Sequence, residues 1–335
     1  MDSKLTSNLL KRRKMQNSDV RKTDLKTLLL KEELIRFSKL KPYIAIKDSV
    51  ISWTLIFLSW TLVASLTNPA TLLVAIMVIA SRYYALLIIG HDGVHRRIFN
   101  DRILNDRFCD LFIYGPIGLI MRFMDHNHLQ HHHHFSSEKD PDRYKYGTDN
   151  KATKFNFLIY CLGLMGIFNQ LKNIYFRKNY TLKSPELSNR KKKTCTDWII
   201  LLTWQFLLII GLTSAIGWWA YPILWIIPVY LSILFDGLRS YCEHAEVPLD
   251  STVNPSRWIT HSSNRVERFF LAPMNMNFHS AHHLWPSIPY YNLPQVDYLI
   301  KERSQTLRNT TLIWKTTYAS TLFSYYKNLP LPVMR

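Results

Sequence analysis

Nine of the chain's thirteen histidines fall into clusters that could do metal chemistry. His91 and His95 stand four apart in HDGVH, and His128, His131 and His132 form HLQHH. His279, His282 and His283 form HSAHH, while His244 stands alone in RSYCEH. Residues three and four apart share a helix face, so each cluster aims two or three imidazoles at one point. Neutral imidazole is the commonest metal ligand and one cation takes roughly four to six ligands, so nine converging nitrogens suit two ions. In the run His131 to His134 only the count from His128 yields HxxHH, because Leu129 lies three beyond His126 and Phe135 four beyond His131. That leaves His126, His133, His134 and the isolated His261 outside the ligand set.

Such clusters need elements to hold them, and hydropathy supplies these. The chain is 47% hydrophobic, yet its mean hydropathy is only −0.08, so apolar and polar residues must be segregated. Ser49 to Leu66 carries no charge, and Thr71 to Gly90 carries one, Arg82. Trp198 to Tyr221 and Pro222 to Phe235 form a second long apolar stretch, broken near Gly217 to Pro222. A span needs about twenty apolar residues, so the reading is four transmembrane helices in two hairpins. The Leu104–Met121 and Phe155–Phe176 stretches, interrupted or flanked by polar residues, are expected to be interfacial or buried. Asp24 to Leu40 reads as a basic amphipathic helix on the surface.

The formal charge of +18 could suggest nucleic acid, but its placement argues for a membrane. Residues 1–48 carry thirteen Lys and Arg against six Asp and Glu, Arg96 and Arg97 follow His95, and Arg190 to Lys193 precedes the third span. Lys and Arg next to spans mark the cytoplasmic side, so these segments read as loops over an anionic leaflet, with no nucleic-acid partner. The division expected is a basic N-terminal segment (1–48), a first hairpin (49–91), a segment with two histidine clusters (92–196), a second hairpin (197–240) and a C-terminal segment (241–335). Both termini and every cluster then lie on the cytosolic face. The four cysteines form no CxxC pair, and a hydrophilic N-terminus argues against a cleaved secretory signal.

HDGVH, HLQHHHHFSSEKDPD and NFHSAHHLWPSIPYYNLP together resemble the three histidine boxes of the membrane fatty-acid desaturase superfamily, which also contains hydroxylases and carotenoid ketolases. The similarity runs from about Arg82 to Val296. It implies an all-α membrane protein whose cytosolic helical cap holds a histidine-ligated di-metal site. The implied iron ligands are His91 and His95 from the first box, His128, His131 and His132 from the second, His244 before the third, and His279, His282 and His283 from the third. It further implies two iron ions, O₂ as co-substrate, a lipid or acyl substrate, and two electrons from a separate ferredoxin or small cytochrome. His279 stands where front-end desaturases have Gln, and no HPGG-type haem-binding module is fused at either end; both argue against a chain carrying its own donor.

Histidine ligands need acceptors to fix their tautomers, and Asp92, Glu243 and Asp140 are the expected ones; Asp125 and Asp142 read as solvated. Arg82 and Asp236 sit nine and eight residues before His91 and His244. At about 1.5 Å per residue they share a depth, so they are expected to form an intramembrane ion pair, with Arg239 competing for Asp236. The leading function is an O₂-dependent acyl desaturase; the alternative is a lipid or carotenoid hydroxylase or ketolase, since the same oxidant can rebound oxygen onto carbon. A histidine-rich metal transporter is a distant third, because a transporter places its ligands at mid-membrane and these lie at helix ends or beyond.

Overall fold

The computed structural model describes residues 25–135, 140, 153–163, 194–244, 258–305 and 312–329. After α1 (Lys31–Phe37) come two long apolar helices, α2 (Pro42–Ser65) and α3 (Pro69–Val94). Their hairpin turn is fixed locally. The Asn68 side chain accepts from the Ala70 and Thr71 N–H groups, and Pro69 needs no partner at the first helical position.

The second hairpin is α7 (Cys195–Ala215) and α8 (Ile227–His244), the latter continuing a π-helical turn at Pro222–Ile226. These are the four helices among the described residues that are long and apolar enough to span a membrane. α3 packs on α2 and on α8 and is the most enclosed of the four. Leu58 of α2 and Leu202 and Phe206 of α7 stay more than half exposed, as lipid-facing residues would. Both α3 and α8 run beyond their apolar blocks, and those extra turns carry His91 and His244.

The stretch after His95 forms no single helix long enough to span. It forms α4 (Arg102–Cys109), a π-helical turn (Asp110–Tyr114) and a 3₁₀ turn (Gly115–Ile117), ended by left-handed Gly118. A broken helix beside membrane spans exposes carbonyls that only protein can satisfy. Here indole N–H groups do so: Trp204 donates to Leu111, Trp53 to Phe112 and Trp225 to Pro116, at 2.6, 2.9 and 3.2 Å. Gln205 also donates to Pro116, and the Tyr83 hydroxyl donates to Ile113. The chain then turns back into α5 (Met121–His134), whose first N–H is capped at 2.8 Å by buried Asp110. Of the Phe155–Phe176 stretch, α6 (Lys154–Cys161) is seen packing through Phe157 on Tyr241 of α8; residues 164–176 lie outside the described residues.

The remaining cap comprises β1 (Trp258–His261), α9 (Arg265–Phe270), α10 (His279–Leu284), α11 (Leu293–Ser304), β2 (Leu312–Lys315) and α12 (Tyr318–Asn328). β1 and β2 pair in parallel, Trp258 opposite Leu312, a small sheet that an all-helical reading does not include. The N-terminal amphipathic segment also departs from expectation. It is shorter than expected and clamped to protein, with Phe37 buried and the Glu33 carboxylate gripped by both Arg303 nitrogens at 2.6 Å.

Candidate metal centre

Adjacent residues on a helix point about 100° apart, so an HH doublet cannot aim both rings at one ion. The structure uses each doublet to serve two sites. His91 and His95 of α3, His128 and His132 of α5 and His282 of α10 form one donor set, with ligand atoms within 4.8 Å of one another. His131, His244 and His283 form a second by the same measure. The His279 ring lies 4.7 Å from that of His244 and 4.2 Å from that of His283, which places it beside the second set.

The donor chemistry fits metal ions. In the first set, Nε2 of His128 lies 2.9 Å from Nε2 of both His95 and His132, and His132 lies 3.1 Å from His282. Neighbouring ligands at right angles around an ion at about 2.1 Å are about 3.0 Å apart, so these separations are those of a shared coordination sphere. Both ring nitrogens of His279 are buried without a hydrogen-bond partner, and a neutral ring offers one of them as a lone pair that an ion would satisfy. Burial holds His128, His279, His282 and His283 well below the usual imidazole range, and holds His95 at about 3 with help from Arg97 and Arg96. Neutral rings are the form that binds metal.

Two of the three expected acceptors meet histidines. Asp140 brings both oxygens to 3.0 Å from His131 Nδ1, in a fully enclosed pair that keeps the proton on Nδ1. Glu243 Oε2 lies 3.2 Å from His279 Nδ1, off the line of a good hydrogen bond, and its other contacts are with Arg239 and Tyr318. Asp92 meets no histidine. Its carboxylate accepts the Tyr290 N–H at 2.7 Å and so braces the turn after the third box. The side chains of Asp125 and His126, and all of Asp142, lie outside the described residues.

Among the described residues, the excluded His133, His134 and His261 join neither set. His133 and His134 pack on each other at the end of α5, and His261 stacks on Tyr318 and meets Thr321 Oγ1 at 3.1 Å.

The expected Arg82–Asp236 pair does not form. Arg82 instead donates to the Phe269 carbonyl and to Ser81, with its guanidinium 4.1 Å over the Phe269 ring. Asp236 pairs with Arg239 at 2.9 Å, the competing partner. Each side chain finds its partner elsewhere: Arg82 on α9, and Asp236 on its own helix one turn along.

Sequence reasoning missed several supports. Asn105 donates to the Gly93 carbonyl at 2.9 Å, and Arg96, in a left-handed backbone conformation at φ 59°, folds its guanidinium onto the carbonyls of Gly93 and Val94. Gly93 itself is required, since a Cβ there would come within 2.3 Å of Cys109 Sγ. Gly in HDGVH was the available signal.

A family model described as fatty acid desaturase matches residues 67–314. The chain belongs to the fatty acid desaturase family. No curated protein matches it. The matched region includes all eight histidines of the two donor sets and His279 beside them, and extends beyond the motifs on both sides, from the first hairpin turn to β2. Membership and the four long apolar helices fit a membrane oxidoreductase, and the two histidine clusters fit a metal site.

Proposed function

We propose that this desaturase-family protein is a di-iron, O₂-dependent acyl desaturase that introduces a double bond into a lipid acyl chain. The observation that carries the proposal is the sharing of the two HH doublets between two donor sets, one half-buried and one buried, beside membrane-spanning helices. His91, His95, His128, His132 and His282 would hold one iron; His131, His244, His279 and His283 the other. With O₂ and two electrons from a separate ferredoxin or small cytochrome, such a centre supplies an oxidant able to remove two hydrogens from adjacent methylenes. The chain's own residues keep the imidazoles neutral by burial, hold the proton on His131 through Asp140, and fix the α3 and α5 ends by Asn105 and Asp110. Basic residues adjoining the spans favour a cytosolic site and termini.

Expression in a host with a defined lipid composition, followed by acyl analysis, tests the reading. An additional double bond is expected. An added oxygen without unsaturation would make the protein a hydroxylase or ketolase, and altered metal uptake without lipid change would remove it from lipid chemistry.

A further inference from the structure

A buried polar ladder rises along α8 to the second donor set. Arg239 is 5% exposed and uses its whole fork: Nη2 to Asp236 at 2.9 Å, Nε to the Tyr84 hydroxyl at 2.7 Å, and Nη1 to Glu243 at 2.5 Å. Glu243 takes the Tyr318 hydroxyl on its other oxygen at 2.8 Å and faces His279 Nδ1. A bare carboxylate in this enclosure would be costly, and a carboxylate free to rotate would not hold a ring. Arg239 compensates the charge from one side, and Tyr318 pins the second oxygen from the other.

We infer that Arg239 and Tyr318 are positioning residues of the second metal site, holding the Glu243 carboxylate against His279 Nδ1 and so setting the orientation of that ring. The first set takes no part in this ladder. Its loss therefore weakens one metal and spares the other. The inference rests on the two-iron reading given above.

The test uses the full chain purified in detergent, loaded with ferrous iron, with iron per chain and chelator-driven release as readouts. The wild type releases two irons. Arg239→Leu is expected to release one of them about 10–100-fold faster, the range seen when partners of metal-bound histidines are removed. Arg239→Lys, which keeps charge but not the fork, falls between, and Tyr318→Phe speeds the same phase several-fold. Arg82→Leu, an intramembrane arginine outside the ladder, leaves both phases unchanged. Should Arg239→Leu not fold, Tyr318→Phe decides: faster release of one iron supports the inference, and two wild-type phases overturn it. A wild type that binds no pair of irons would instead overturn the two-iron reading.

Discussion

The two donor sets are built on different principles. Hydrogen-bond contacts in the first run from ring to ring among His95, His128, His132 and His282, and its helices are set by steric and capping devices near Gly93, Asn105 and Asp110. Contacts in the second run outward to carboxylates, Asp140 at His131 and Glu243 at His279. One site is shaped by how helices pack, the other by an electrostatic scaffold. Changes in packing should therefore disturb the first site, and changes in charge the second.

The sharpest challenge to that contrast comes from the doublets. His282→Ala and His283→Ala alter neighbouring residues on α10 but remove ligands from different sets. Each should lower activity by at least about a hundredfold and leave about one iron per chain. The slow and fast release phases should be lost in opposite variants. Loss of the same phase in both would dissolve the division.

Packing is probed at Gly93. Gly93→Ala forces a methyl into Cys109, and overpacking of this kind costs about 1–3 kcal/mol. A fall of several degrees in the unfolding temperature is expected, together with weaker iron binding at the first set. Cys109→Ala in the same chain should restore most of both. Absence of rescue would show that the close approach of α3 and α4 does not set the geometry.

Acid offers a smaller lever. In metal-free protein His95 is held at about 3 by burial, against about 6.5 for a free imidazole. A base with a lowered folded pKa takes up protons more readily when unfolded. Its contribution to stability is therefore complete above about 6.5 and is lost as pH falls towards 3. Metal-free protein should lose stability across that window, and bound iron should oppose the loss. Equal acid sensitivity of both forms would argue that the rings are not the titrating groups.

Much of this was legible in the sequence because it is periodic. Helical spacing grouped the histidines, and uncharged stretches such as Ser49 to Leu66 marked the spans. The expectation that each cluster aims at one point failed at the doublets: His131 and His132, like His282 and His283, serve different donor sets, because adjacent residues on a helix point about 100° apart. What escaped depends on direction around a helix axis or on distant partners. Counting residues placed Arg82 and Asp236 at one height, yet a count along two helices says nothing about azimuth. The broken segment from Arg102 to Ile117 is held by Trp53, Trp204 and Trp225, which lie about 50 to 110 positions away in the chain. Asp92 beside His91 looked like a histidine's acceptor, but its partner is the main chain of Tyr290, 198 residues on.

The smallest expected effect separates two intramembrane arginines. Arg239 meets two carboxylates and a tyrosine, whereas Arg82 meets a carbonyl, a serine and an aromatic face. Replacing Arg82 by Leu forfeits a charged hydrogen bond and a cation–π contact, together about 2–4 kcal/mol. It also removes a charge whose placement within a span costs about 2.5–3.5 kcal/mol. These terms nearly cancel, so Arg82→Leu should change the unfolding temperature by no more than a few degrees and leave iron release untouched. Arg239→Leu removes a counter-ion that Asp236 and the buried Glu243 share, so it weakens both carboxylates at once. Thermal unfolding of the two variants side by side reads the difference directly, and equal destabilisation would mean that burial of the cation, not the carboxylates around it, governs this end of the bundle.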